Sequence, residues 1–281
     1  MVARYLDEIL TFHRKRAADD SRDLSSLVKR ASLLPETRGF RLSLAAEGTA
    51  SGQGIAVIAE FKRRSPSKGV LGSDLDVVDI CRQYAAGGAS CISVLTDHEF
   101  FAGAPEDLQA AREVVDLPVL RKDFTVSKAD VCDARIMGAD AVLLIVAALS
   151  RTELVELCTL SRDLGMDSLV EVHDTEELDL ALEIGADLIG VNQRDLRTFG
   201  VHEDRARKLG EAIPEEVTSV AESGISSAAG AASAAGAGFD AILVGEALIR
   251  STDRAGTLAE LRSAGAGLGP VAQKRAQSPC L

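Results

Sequence analysis

From Ile55 onward the chain alternates short runs of β-branched and other apolar residues with longer stretches whose apolar positions recur at helical spacing. The runs predict eight strands: Ile55–Phe61, Ser90–Leu95, Pro118–Lys122, Ala139–Val146, Asp167–Val172, Asp187–Asn192, Glu216–Glu222 and Asp240–Gly245. The stretches between them predict helices over Asp74–Ala86, Pro105–Val115, Ser127–Met137, Ser150–Leu164, Thr175–Ile184, His202–Ala212, Ser226–Ala235 and Thr252–Leu261. Several begin at a Ser, Thr or Asp suited to capping. Three are followed by Gly-Ala-Asp or a close variant, at 138–140, 185–187 and 238–240. Residues 1–50 predict one or two further helices, the first carrying Leu6, Ile9 and Leu10, placed across one end of the fold.

Strict strand–helix alternation implies a parallel sheet, because each right-handed crossover returns the chain beside its previous strand. Eight units imply closure, so the fold class is α/β, a (β/α)8 TIM barrel with additional N-terminal helices. The expected parts are an N-terminal helical extension over 1–50, the barrel over 51–264 and a flexible Gly/Ala/Pro tail over 265–281. A doubly wound open sheet would carry a glycine-rich phosphate turn after its first strand. Gly52-Gln53-Gly54 instead precedes a strand and reads as a loop.

Composition narrows the function. The 281 residues are 46% apolar, enough for a full-sized core. The strongest apolar run, Ala141–Leu149, is far below the roughly 18 to 20 residues that span a bilayer. Asp7 and Glu8 interrupt the N-terminal segment where a signal peptide would be apolar, so a cytoplasmic setting without a membrane partner is expected. A formal charge of −12 disfavours nucleic acid as a partner and requires a local cluster of donors to hold an anionic substrate. The five cysteines have no CxxC spacing and read as core residues, apart from Cys280 in the tail.

The predicted strands share a chemical habit at their C-terminal ends, where the last inward position of a barrel strand reaches the mouth. Residues two apart share a face, giving Ile58, Glu60, Lys62; Leu120, Lys122; Leu169, Glu171; Gly190, Asn192, Arg194; and Val220, Glu222. Each series runs from a small or apolar residue to an ionisable or amide side chain. For one strand this is an ordinary solvated rim, but five in agreement point to a ring of coupled acids and bases. Lys62, Lys68 and Lys122 stand out because Arg supplies most of the other cationic charge, and only Lys offers a compact titratable ammonium. Small-residue turns at Ser65–Gly69, Ser223-Gly224-Ile225 and Gly245-Glu246 suit a phosphate held by the loops after strands seven and eight. His173 lies beyond Glu171 in a turn and reads as a loop or supporting residue, and His13, His98 and His202 have no metal-like spacing. No HExxH or Gly-x-Ser-x-Gly motif occurs.

Taken in order, Ile58-Ala-Glu-Phe-Lys-Arg-Arg-Ser-Pro-Ser-Lys-Gly69, Leu120-Arg-Lys-Asp-Phe124, Leu169-Val-Glu-Val-His173, Gly190-Val-Asn-Gln-Arg-Asp-Leu196 and Ala221-Glu-Ser-Gly-Ile225 resemble indole-3-glycerol phosphate synthase. The likeness runs from Tyr5–Leu10 to Val244–Leu248. It implies a barrel lyase of tryptophan biosynthesis that closes an anthranilate-derived ribulose phosphate into indole, with loss of carbon dioxide and water and with no metal or organic cofactor. By position it implies Lys122 as principal general acid, Glu171 as a general base, and Glu60, Lys62 and Asn192 as further catalytic residues. It places Arg194, Glu222 and Ser223 in the substrate site, Phe101 and Phe124 beside the substrate ring, and Ser65, Gly224, Gly245 and Glu246 near the phosphate. Glu246 is anionic, so only its backbone N–H is expected to serve. The implied partner is a small phosphorylated molecule, and association with other tryptophan-pathway enzymes is compatible with the family.

Two other readings share part of this pattern. A sugar-phosphate isomerase would use the same phosphate turns without needing two strand-end lysines beside three glutamates. A non-catalytic scaffold would bind the anion alone, and intact Lys62, Lys122 and Glu171 count against it.

Overall fold

The computed structural model describes residues 4–48, 54–65, 69–72, 74–194, 200, 203–264 and 266. Lys68, Asp195, His202, Cys280 and the tail from 267 onward lie outside them. The predicted runs form eight parallel strands closed into a barrel: β1 (Ala56–Phe61), β2 (Cys91–Leu95), β3 (Val119–Lys122), β4 (Ala141–Ile145), β5 (Asp167–Val172), β6 (Leu188–Asn192), β7 (Thr218–Glu222) and β8 (Ala241–Val244). β1 pairs with both β2 and β8, which removes the sheet edges. β1, β2, β4, β6, β7 and β8 are buried along their whole length, as expected of strands with side chains inside the barrel and helices outside.

Three helices precede the barrel, where the sequence pattern predicts one or two: α1 (Arg4–Ala18), α2 (Leu24–Ser32) and α3 (Phe40–Glu47). They also reach both ends of the barrel instead of one. Asp23 caps α2 through Ser26 N–H at 2.9 Å, and α2 packs Leu27 and Ala31 against the helix Lys128–Met137. α3 closes the end where the strands begin. Its Phe40 and Leu44 are fully buried beneath β1, β2 and β7. The N–H of Arg38 donates to Asp140 at 2.7 Å and that of Arg41 to Asp167 at 2.9 Å. These contacts explain part of the repeated Gly-x-Asp turns. Asp140 also accepts from Val119 N–H at 2.8 Å, and Asp240 from Ser219 N–H at 2.8 Å, so each ties its strand to the one before.

The remaining departures lie in the loops. A two-residue hairpin, Arg64–Ser65 with Gly69–Val70, follows β1. A short helix, His98–Phe101, follows β2, and another, Glu246–Arg250, follows β8, moving the last helix to Arg254–Ser263. Short helices of this kind carry too few apolar positions to show a 3.6-residue period.

Because α3 seals the base with one aromatic, Phe40→Ala should destabilise the fold by about 3–5 kcal/mol. Chemical denaturation reads this directly; an unchanged midpoint would show that α3 is not part of the cooperative core.

Candidate active site

The barrel register decides which side chains meet at the mouth. Glu60 pairs with Ser93, Ser93 with Leu120 and Leu120 with Ala141, while Glu171 pairs with Gly190, Gly190 with Val220 and Glu222 with Leu243. Followed once around, the pairing drifts by about eight residues, so side chains at one height come from alternate strands. Ile58, Leu120, Leu169 and Val220 form one such level from β1, β3, β5 and β7, and all are fully buried. The next level toward the C-terminal end, from the same four strands, is Glu60, Lys122, Glu171 and Glu222. A position that barrels commonly fill with branched apolar residues here holds three acids and an ammonium.

Lys122 Nζ donates to Glu171 Oε2 at 3.0 Å and to Glu222 Oε2 at 2.7 Å. Its side chain is 12% exposed and each glutamate 2%. Burial opposes the Lys122 charge, but Glu171, Glu222 and Glu60 outweigh it and hold the ammonium's pKa above the usual lysine value. The two acids then divide. Burial works against the Glu171 charge, yet Lys122, His173 and hydrogen bonds from Lys122 and Asn192 bring its pKa down to about 2. For Glu222, burial and repulsion from Glu171 and Glu60 prevail over Lys122 and push it up to about 7. Two acids sharing one ammonium therefore differ in protonation, an arrangement suited to acid and base chemistry in one place.

Around this level the other strand-end residues fall into place. Lys62, just past β1, donates to Glu60 Oε1 at 2.5 Å. Asn192 ends β6; its amide donates to Glu171, and its Oδ1 accepts from Arg194 N–H at 3.0 Å. A Cβ built on Gly190 would lie 2.1 Å from Glu222 Oε1, and one on Gly245 would lie 2.3 Å from Glu60 Oε1. Both glycines therefore make room for a carboxylate. Ser223 and Gly224 turn the chain after β7 with φ of 66° and 77°. The first is a conformation that non-glycine residues seldom adopt and that clusters at functional sites. Glu246 is the first residue of its helix and turns its side chain to Arg250 at 3.2 Å, which leaves its backbone as the part able to face an anion.

An aromatic wall stands beside the ring. Phe101 and Phe124 have centroids 6.1 Å apart, and Phe124 lies 5.3 Å from the His13 ring of α1. Asp97 organises this side. One carboxylate oxygen caps Phe100 and Phe101 N–H at 2.7 and 3.0 Å, and the other meets His13 Nε2 at 2.9 Å. Arg64 donates to the carbonyls of Phe100, at 3.0 Å, and Glu99, which ties the hairpin bearing buried Ser65 to the helix bearing Phe101. His13, Asp97 and Asp123 bring ligand-type atoms within 4.8 Å of one another, a convergence that sequence spacing does not reveal. Asp123 already accepts from Arg121, Thr96 and Phe124 N–H, so the cluster reads as a strut between α1 and the barrel.

The structure thus brings Glu60, Lys62, Lys122, Glu171, Asn192 and Glu222 together. Sequence reasoning did not find the space-making role of Gly190, although a glycine inside a buried strand is a signal of close approach. It also did not find the Asp97–His13 tie. His173, read from sequence as a loop or supporting residue, lies 3.4 Å from Glu171, in a supporting position.

The sequence profile of the family described as indole-3-glycerol phosphate synthase matches residues 6–261. The chain is 45% identical over 249 residues to the indole-3-glycerol phosphate synthase of Chloroherpeton thalassium, covering 88% of this chain and 95% of that one. It is 50% identical over 213 residues to the protein of the same name from Mycolicibacterium vanbaalenii, covering 76% and 78%. Among solved structures, thiamine phosphate pyrophosphorylase from Pyrococcus furiosus superposes with a TM-score of 0.58 at 21% identity, over 76% of this chain and 97% of that one, which shows the shared fold alone.

The division between the two acids has a spectroscopic consequence. Infrared difference spectra should show a protonated carboxylic acid that ionises as pH rises through about 7, absent in Glu222→Gln. Retention of the band in that variant would assign the proton elsewhere.

Proposed function

The chain belongs to the indole-3-glycerol phosphate synthase family, a decarboxylating carboxy-lyase of tryptophan biosynthesis, and from that premise we propose how its strand-end ring performs the reaction. The substrate, 1-(o-carboxyphenylamino)-1-deoxyribulose 5-phosphate, closes when the aromatic carbon bearing the carboxylate attacks the sugar ketone. The observation that carries the assignment is the Lys122 ammonium held by Glu171 and Glu222 at the barrel mouth. Negative charge develops on the ketone oxygen during attack, and Lys122 gives it a proton. The pair of carboxylates keeps Lys122 charged until that moment.

Loss of carbon dioxide then restores the aromatic ring. Dehydration needs a donor for the departing hydroxyl and an acceptor for a proton from the neighbouring methylene. Lys62, oriented by Glu60, serves as the donor, and Glu171, ionised over the physiological range, serves as the acceptor. Asn192 supports Glu171, and Glu222, close to its midpoint at neutral pH, accepts or donates a hydrogen bond to the sugar hydroxyls.

The remaining contacts fit the two ends of the substrate. Phe101 and Phe124 wall its ring. β7, β8 and β1 leave the barrel side by side, so Ser223-Gly224 and Gly245-Glu246 offer backbone N–H groups to the phosphate, with Ser65 beside them after β1 and Arg194 as a cationic contact. We infer a cytoplasmic setting from the biosynthetic reaction; no helix among the described residues is long and apolar enough to cross a membrane.

The chain contains no Trp, so indole formation is visible by absorbance and fluorescence on a clean background. Wild-type protein mixed with the substrate should produce the indole spectrum and release carbon dioxide. Glu171→Gln should lower kcat by about 10²–10⁴-fold with a much smaller change in KM. Wild-type protein that binds the substrate and forms no indole would overturn the reading.

A further inference from the structure

Just beneath the charged level, the even-numbered strands contribute a level of their own. It consists of Ser93 on β2, Leu143 on β4, Gly190 on β6 and Leu243 on β8, each the register partner of an inward residue on a neighbouring strand. Two of the four are leucines, and Gly190 yields its volume to Glu222, so Ser93 alone brings a polar group. Ser93 is fully buried, and its Oγ has no hydrogen-bond partner among the described residues. An unpaired hydroxyl in such a place costs stability, whereas Ala would fill nearly the same space without that cost. A buried polar group kept on those terms calls for a functional explanation.

Its neighbour in register is Glu60, on the same face of β1. Neighbouring strands lie about 4.7–4.9 Å apart, which places the hydroxyl within reach of the Glu60 side chain. β1 has β2 on one side and β8 on the other, and Glu60 leans toward β8. There its Oε1 accepts from Lys62 Nζ at 2.5 Å and lies 2.3 Å from the position of a Cβ built on Gly245; Lys62 Nζ is 3.0 Å from that same point. Lys62 thus draws the carboxylate to one side, and the Ser93 hydroxyl on the other side goes unmet. The terminal torsion of a glutamate is soft, so a modest rotation would turn the carboxylate toward β2.

We propose that Ser93 is a positioning residue that acts through Glu60, taking up that carboxylate as Lys62 discharges during dehydration; the proposal rests on the reaction assigned above. While Lys62 is an ammonium, Glu60 orients it and also holds on to its proton. Lys62 then gives that proton to the departing hydroxyl, which leaves as water. Glu60 has now lost its cationic partner in a level shared with Glu171 and Glu222, and an uncompensated buried carboxylate would pull the proton back. Turned toward β2, it accepts a hydrogen bond from the Ser93 O–H instead. No proton passes between Ser93 and Glu60. Because this bond forms only as Lys62 is neutralised, it lowers the barrier to dehydration and leaves substrate binding and ring closure as they were.

The test compares wild type with Ser93→Ala and Ser93→Cys, by chemical denaturation and by single-turnover release of carbon dioxide and appearance of indole, read separately. Carbon dioxide leaves before dehydration and the indole spectrum arises after it, so the two signals bracket the step. Ser93→Ala should raise the denaturation midpoint, keep the wild-type rate of carbon dioxide release and slow the appearance of indole by about 10- to 100-fold, the range expected for a lost hydrogen bond to a charged group. Ser93→Cys, which offers only a weak donor, should share the delay. A lowered midpoint or failure to fold in Ser93→Ala would make the hydroxyl a structural group and overturn the proposal. Equal slowing of both signals, or indole at the wild-type rate in either variant, would overturn it too. Absence of indole from wild type would overturn the reaction, and the role of Ser93 with it; normal wild-type turnover with unaffected variants would overturn the role of Ser93 alone.

Discussion

An ammonium shared by two carboxylates in the top level of a barrel core is the constraint around which the rest of this protein is arranged. Removing such charges from water costs more than their mutual attraction returns unless the geometry is tight and the remaining hydrogen bonds are made. Lys122 meets both acids within 3.0 Å, and Asn192 and His173 approach the buried Glu171 as well. Directly below lies an apolar level of Ile58, Leu120, Leu169 and Val220. It gives the charged level a dry, rigid floor, in which electrostatic interactions are stronger than in water.

The supports reach well beyond the mouth. Gly190 and Gly245 leave space for the carboxylates of Glu222 and Glu60, so β6 and the turn after β8 yield volume to the acids of β7 and β1. The N-terminal segment joins opposite ends of the molecule. α1 delivers His13 to Asp97, which caps the helix carrying Phe101, whereas α3 seals the strand starts with Phe40 and Leu44. One contiguous stretch therefore shapes the aromatic side of the site and completes the core beneath it.

Much of this was legible in the sequence because barrel strands have a period of two and a fixed direction. Period two put Glu60, Lys122, Glu171 and Glu222 on inward faces, and direction put them at the mouth. What escaped had no local period to show it. His13 and Asp97 are 84 residues apart and meet only because α1 folds back over the loops. His173, legible as a loop or supporting residue, sits one residue past the end of β5, and only its contact with Glu177 in the next helix had no local signal. The number of N-terminal helices was missed because α2 and α3 are short, at 9 and 8 residues, and are stabilised by packing against the barrel more than by their own pattern.

The central claim is that Lys122 acts on the transition state and is not chiefly a binding residue. Substrate affinity and single-turnover rate measured together on Lys122→Met test it most directly. The account predicts affinity close to wild type and a rate lowered by at least about 10²-fold. A variant that loses affinity while keeping the wild-type rate at saturation would make Lys122 a binding residue and contradict the account.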